Sequence, residues 1–254
     1  MKKTANDDLR SRANRLRLYG LLSAWDELHA KAWVARLIEL EETERARRSK
    51  EYRIKNAKIG SFKPIADFDW KHPKKIDRAL IDELFTLDFL DAGTNVVLMG
   101  PNGIGKTMIA QNLAYEAVRG GHTTRFTVAS ELLNDLSGVD GSLLRTRLRK
   151  YVSPRLLCID EVGYLRYDNR HADLLYEVIR QRYEKRAPIV LTTNKGFTEW
   201  TTVFESAACL VTMIDRLCHR AEIANIEGES YRTKEANDQR KKRQAKRRSR
   251  SKKR

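Results

Sequence analysis

Apolar residues recur three to four positions apart along the start of the chain, at Leu9, Ala13, Leu16, Leu21 or Leu22, Trp25 and Leu28, and a second stripe begins at Trp33, Leu37 and Leu40. This period predicts amphipathic helices, with basic residues on the other faces. Over 39–58 both charges are dense and Glu41 and Arg45 stand at i,i+4, which predicts a solvated helix. Gly60, Pro64 and Pro73 then punctuate a stretch with no period, so a boundary between domains is expected there. After a helix over 77–90 the pattern changes. Short apolar runs at 96–99, 125–128, 156–159, 189–193 and 222–226 read as strands, and each of the first four leads into a helical pattern or a turn towards one. Such alternation predicts an α/β fold with a parallel sheet covered on both faces. From about Glu235 only Ala236 and Ala245 are apolar, too little to bury, so no fixed structure is expected there.

The 254 residues are enough for one α/β domain and a smaller appendage. The formal charge of +16 points to a polyanionic partner, and its position sharpens that expectation. Residues 232–254 hold 13 Lys or Arg and 2 acids, a net +11, so the tail supplies most of the excess. Cys158, Cys209 and Cys218 are odd in number and lack C-x-x-C spacing, as expected of reduced thiols in the cytoplasm. Thr4-Ala5-Asn6-Asp7-Asp8 follows Lys2 and Lys3 where a signal peptide would be apolar, and no run approaches the ~18 apolar residues of a membrane span. No membrane partner is expected.

The chemistry concentrates at the ends of three strands. Gly100-Pro101-Asn102-Gly103-Ile104-Gly105-Lys106-Thr107 matches G-x-x-x-x-G-K-[ST] between a strand and a helical run, the context a phosphate-binding loop requires. Its glycines let the backbone curl, its N–H groups and the helix N-terminus face an anion, Lys106 reaches the β and γ phosphates of ATP, and Thr107 offers a hydroxyl to Mg²⁺. A chance glycine loop would not combine all three parts. Leu156-Leu157-Cys158-Ile159 delivers Asp160 and Glu161 to a strand tip, Asp160 to hold Mg²⁺ and Glu161 to polarise the attacking water. Alone, such a pair would read as a helix cap. Asn194 follows the run 189–193 and is expected to contact the water or the γ phosphate, against the plainer reading of a turn residue. Arg216 is the best arginine-finger candidate and implies an oligomer, since the finger would serve a neighbouring subunit; an Asp215–Arg216 surface pair is the alternative. Arg232 is a weaker candidate for the nucleotide phosphates. Phe68 could cover an adenine ring but more simply packs, Trp25 and Trp33 are expected to pack the N-terminal helices, and the five histidines share no ligand spacing.

With these motifs in place the sequence resembles the IstB-like ATPases, helper proteins of an insertion-sequence transposase related to the DnaC helicase loaders. The resemblance covers roughly residues 9–235. It rests on Ala66-Asp67-Phe68-Asp69, the phosphate loop, Asp160-Glu161-Val162-Gly163-Tyr164-Leu165, Gln181-Arg182-Tyr183-Glu184, Thr193-Asn194-Lys195-Gly196-Phe197-Thr198-Glu199-Trp200, Asp215-Arg216-Leu217 and Gly228-Glu229-Ser230-Tyr231-Arg232. It implies a P-loop NTPase core of AAA+ (ASCE) type without a substantial C-terminal lid, assembling on double-stranded DNA as a homo-oligomer with ATP and recruiting or stimulating a partner transposase through its helical N-terminal region. Met108 stands where a His is expected, and the basic tail is stronger than the family leads one to expect. The expected organisation is therefore a helical domain over 1–58, a linker over 59–75, an ATPase domain over 76–234 and a disordered basic tail over 235–254. A helicase loader would carry the same motifs, and a DNA-coating protein with a vestigial nucleotide site is a more remote alternative.

Overall fold

The computed structural model describes residues 5–204 and 207–251. The chain divides into two compact units between Arg53 and Ile54. In the first, α1 (Ala5–Arg15), α2 (Tyr19–Ser23) and α3 (Trp25–Leu28) precede the long α4 (Ala32–Ala57), which runs past the division. Ala13, Leu16, Trp25, Val34 and Ile38 form its core, with Leu9, Leu21, Leu22 and Leu28 packed against it. The first stripe is thus the buried one. The second is corrected: Trp33 and Leu40 are each 50% exposed, and the neighbouring pair Val34 and Ile38 turns inward instead. Both sets fit a 3.6-residue period, so spacing alone could not choose between them. Beyond this core α4 is held by ion pairs along its own surface, Glu41–Arg45 as expected and Glu44 with both Arg47 and Arg48.

The second unit opens with residues expected to be a linker, and that expectation is also corrected. Ile59, Phe62, Ile65, Phe68 and Trp70 stand among the prolines and pack into the core of this unit. The segment is pinned by polar bonds as well. Asn112 accepts the N–H of Ile65 and donates to the carbonyl of Lys63, and Gln111 donates to the carbonyl of Ile59. The helix expected over 77–90 is two helices, α5 (Arg78–Leu84), capped by the Asp77 side chain, and α6 (Asp88–Ala92), separated at Leu87, whose φ of 68° breaks the helical path.

There follow β1 (Asn95–Met99), α7 (Lys106–Arg119), β2 (Thr124–Val128), α8 (Ala129–Ser137), α9 (Gly141–Val152), β3 (Leu156–Val162), α10 (Asn169–Glu184), β4 (Ile189–Thr193), α11 (Leu210–Cys218), β5 (Ala221–Asn225) and α12 (Tyr231–Ser251). The five strands are all parallel, in the order β2-β3-β4-β1-β5. Alternate residues serve opposite faces: Val97, Leu157, Ile159 and Leu191 enter one core cluster, Val96, Leu98, Cys158 and Val190 the other. Burial on both faces explains why the strands read as continuous apolar runs. Each such side chain contributes about 1.5–3 kcal/mol relative to exposure.

The order sets β4 between β1 and β3, so the tips of all three meet at one edge. At the opposite edge Arg182 is fully buried and donates to the carbonyls of Tyr151, Pro154, Arg155 and Pro188, which fixes the approaches to β3 and β4. The tail expected to be disordered from Glu235 instead continues α12 to Ser251. Lys, Arg, Gln, Glu and Ala are good helix formers, and the segment contains no Gly or Pro to stop it. Lack of an apolar face removes a reason to pack, not the ability to coil. Residues 252–254 lie outside the described residues.

Candidate nucleotide site

The phosphate loop joins β1 to α7 at the tip of the sheet. Gly103 has φ 78° and Gly105 φ 98°, conformations that side chains avoid, and both are also closely covered. A Cβ on Gly103 would meet Ser230 Oγ at 2.2 Å, and one on Gly105 would meet Phe68 Cε2 at 2.3 Å. The loop is thus clasped from two sides. Phe68 belongs to the former linker; Ser230 belongs to the approach to α12, where the Tyr231 N–H donates to the Gly103 carbonyl at 2.8 Å. Tyr231 also packs edge-on against His72, whose Nε2 donates to the Glu229 carbonyl at 2.8 Å. Lys234 pairs with Asp69 at 3.0 Å.

A cleft of about 700 Å³ opens between these parts, lined by Phe68, His72, the loop residues 103–107, Tyr164, Tyr231 and Arg232 among others. Its volume falls in the range of small-molecule sites. Lys106 Nζ donates to the carbonyls of Gly100 and Pro101, each at 2.7 Å. Burial pushes its ammonium down to about 8; the Asp160 carboxylate opposes that shift, and the positive charge of Arg232 adds to it. A cation held at such cost at the N-terminus of α7 is suited to an anion.

Asp160 is 3% exposed at the tip of β3 and accepts from Thr107 Oγ1 at 3.1 Å and from Thr192 Oγ1 at 2.5 Å. Among the described residues no cluster of three or more His, Cys, Asp or Glu could hold a metal. This donor set suits Mg²⁺, which keeps most of its waters and takes one carboxylate and one hydroxyl beside substrate phosphates. Thr107 and Asp160 are the residues that could hold it. Glu161, next along, is half-buried with φ 62°. Asn194 follows β4, and its Oδ1 is buried with no hydrogen-bond partner, a polar atom in wait of a donor. Tyr164 lines the cleft close to the acids: burial, then Glu161 and Asp160, push its phenol up.

Lys106, Thr107, Asp160, Glu161 and Asn194 are therefore brought to one edge of the sheet, and Arg232 lines the same cleft. Arg216 is not among them. It lies on α11, which leads into the start of β5, at the edge opposite the phosphate loop. Its guanidinium lies over the rings of Tyr176 and Tyr183, at 5.2 and 5.9 Å, and Nη1 has no hydrogen-bond partner. Thr192, Tyr164, Ser230 and Tyr231 were not singled out for this site from sequence. For Thr192 the available signal was a threonine in the all-buried run of β4, beside the acids of β3, while Tyr164, Ser230 and Tyr231 stood inside the family-like segments.

The matched family model, IstB-like ATP binding protein, spans residues 11–239. The chain belongs to the IstB-like ATP-binding proteins. Among IstB-like relatives, the ATP-binding protein of insertion sequence IS5376 from Geobacillus stearothermophilus is 42% identical over 79% of this chain and 80% of its own length. That of IS21 from Pseudomonas aeruginosa is 36% identical over 84% and 80%. One from a Mycobacterium tuberculosis insertion sequence is 34% identical over 88% and 93%. In fold, the chain is similar to DnaI, with TM-score 0.53 at 17% identity over 68% of this chain and 90% of that one. It is also similar to Aquifex aeolicus DnaA bound to AMPPCP, with TM-score 0.51 at 18% identity over 69% and 56%. This IstB-like chain is thus an ATP-binding ATPase with the AAA+ fold. Among the described residues no helix is long and apolar enough to cross a membrane.

Proposed function

We propose that this IstB-like ATPase is a transposition helper that assembles on double-stranded DNA with ATP and recruits or stimulates a partner transposase. What carries this reading is kinship along most of the chain with ATP-binding proteins of insertion sequences. Charge supports the DNA part: α12 holds ten Lys or Arg and two acids, and a run of this kind binds phosphates irrespective of base sequence. The position of Arg216 supports self-association, because a guanidinium at the far edge can reach a γ phosphate only in another copy.

Within one site the residues divide the work of hydrolysis. The loop N–H groups and Lys106 bind the β and γ phosphates, and Arg232 adds a second cation at the cleft. Glu161 takes the proton of the attacking water, Asn194 orients that water or the γ phosphate, and Thr107 and Asp160 hold Mg²⁺. The ion, when bound, supplies charge neutralisation between the phosphates. ATP binding between copies favours the assembled state and hydrolysis releases it.

Glu161→Gln keeps the shape of the side chain and removes its basicity. Sizing of this variant with ATP, Mg²⁺ and duplex DNA is expected to show a persistent nucleoprotein oligomer where the natural chain disassembles. Rapid disassembly of the variant refutes the role of Glu161. Capture experiments with residues 1–53 separate a transposase partner from a replicative helicase, and capture of the helicase alone would replace this reading with that of a helicase loader.

A further inference from the structure

The ladder between β3 and β4 is regular up to Ile159↔Leu191 and resumes at Val162↔Thr193. Two residues of β3, Asp160 and Glu161, therefore stand opposite one of β4, Thr192. This is a bulge, rare in parallel pairs, and bulges re-aim side chains next to active sites. Here it turns both acids, with Glu161 in a left-handed conformation (φ 62°) that a side chain avoids unless its surroundings hold it. The residue of β4 opposite the bulge is Thr192, 1% exposed. Its hydroxyl accepts the Glu161 N–H at 3.0 Å and donates to Asp160 Oδ1 at 2.5 Å. One hydroxyl supplies one proton and accepts another, so these two bonds use its donor fully and fix its rotation.

We propose that Thr192 is a positioning residue for ATP hydrolysis: its hydroxyl clamps the bulge and so aims Glu161 at the attacking water, while bonding the carboxylate of Asp160. The proposal rests on the reading of Glu161 as the base. Valine has the size of threonine without the hydroxyl. Thr192→Val leaves the Glu161 N–H without its partner and lets the bulge relax, whereas Thr192→Ser keeps both bonds. A displacement of about 1 Å at a reacting group costs on the order of 100-fold in rate.

The test measures phosphate release by the full-length chain at saturating ATP and Mg²⁺, with and without duplex DNA, together with calorimetric affinity for a non-hydrolysable ATP analogue. Circular dichroism confirms that each variant is folded at the assay temperature. Thr192→Val is expected to lower kcat by about 30–100-fold with analogue affinity within threefold of the natural chain, and Thr192→Ser to stay within about threefold in both. Adding Thr192→Val to Glu161→Gln is expected to lower kcat no further, since a misaimed base and an absent one are the same loss. A natural kcat in Thr192→Val, a Ser variant as slow as the Val variant, a matching loss of analogue affinity, or a double variant slower than Glu161→Gln by the full single-variant factor would each overturn the assignment. If Glu161→Gln itself turns over normally, the reading of Glu161 fails and the proposal with it. If Glu161→Gln is inactive and Thr192→Val active, only the Thr192 assignment fails.

Discussion

Lys106 links nucleotide affinity to pH in a way that can be worked out from the site. Its ammonium is held at about 8, below the usual 10.5, by burial above all, with Arg232 adding repulsion and the acids opposing it. A bound triphosphate places negative charge beside the ammonium and raises that value again, so ATP binds the charged form and draws a proton from solvent as pH passes 8. With a free value near 8 and a bound value above the assayed range, affinity falls by a factor of ~25 between pH 7.5 and 9.5, nearly 2 kcal/mol. Stability changes the other way. Between pH 8 and 10.5 the unfolded chain holds more protons at this lysine than the folded one, so its own contribution to stability rises with pH, opposite in sign to the loss of affinity. Calorimetry of a non-hydrolysable analogue in buffers of different ionisation enthalpy reads both affinity and proton uptake. Lys106→Arg, which cannot lose its charge, is expected to show a flat profile whatever its absolute affinity. A flat profile in the natural chain, or proton release on binding, would refute the reasoning.

Gly105→Ala sets a methyl against the Phe68 ring at a backbone angle alanine avoids, and is expected to cost ~2–3 kcal/mol, roughly 5–10 °C in Tm for a unit of this size. Phe68→Ala in the same background should recover part of any loss in ATP affinity, and thermal unfolding with and without ATP checks both. Arg216→Ala should bind ATP normally yet lose up to about 10³-fold in turnover. Mixed with Lys106→Ala, which still offers its own Arg216, it should regain activity, and a mixture as inactive as its components would count against a finger supplied by a neighbour. Deleting 241–254 removes ten Lys or Arg and no acid, so DNA affinity should fall and its salt dependence flatten by up to ~0.9 in log–log slope for each phosphate the tail no longer neutralises. An unchanged slope assigns the tail another purpose.

The parallel sheet and the convergence of Lys106, Thr107, Asp160, Glu161 and Asn194 at one of its edges were readable from sequence because they depend on local order. A strand, a glycine loop and a helix are consecutive in the chain, and the acids follow their own strand. What escaped depends on pieces far apart in the chain. Phe62, Phe68 and Trp70 stood among prolines and read as a linker, yet they seal the core beside the phosphate loop. Thr192 looked like any β-branched strand residue, and its importance arises from a bulge on the neighbouring strand. Ser230 became part of the loop's cover only when the chain returned from β5. In α4, two apolar stripes overlapped, and the choice between Trp33 and Val34 belonged to the shorter helices opposite.

The separation of Arg216 from the phosphate loop by the full length of the strands bears on the symmetry of any assembly that uses it. Two copies related by a dyad could exchange guanidiniums only as a closed reciprocal pair, which offers no free edge for a third copy. A longer assembly needs a head-to-tail repeat, in which every interface is the same and each protomer gives to one neighbour while taking from the other. Such a row has a direction. Unless it closes on itself, its first nucleotide lacks a donor and its last arginine lacks a recipient, so a filament along DNA would possess one end competent to hydrolyse and one that is not.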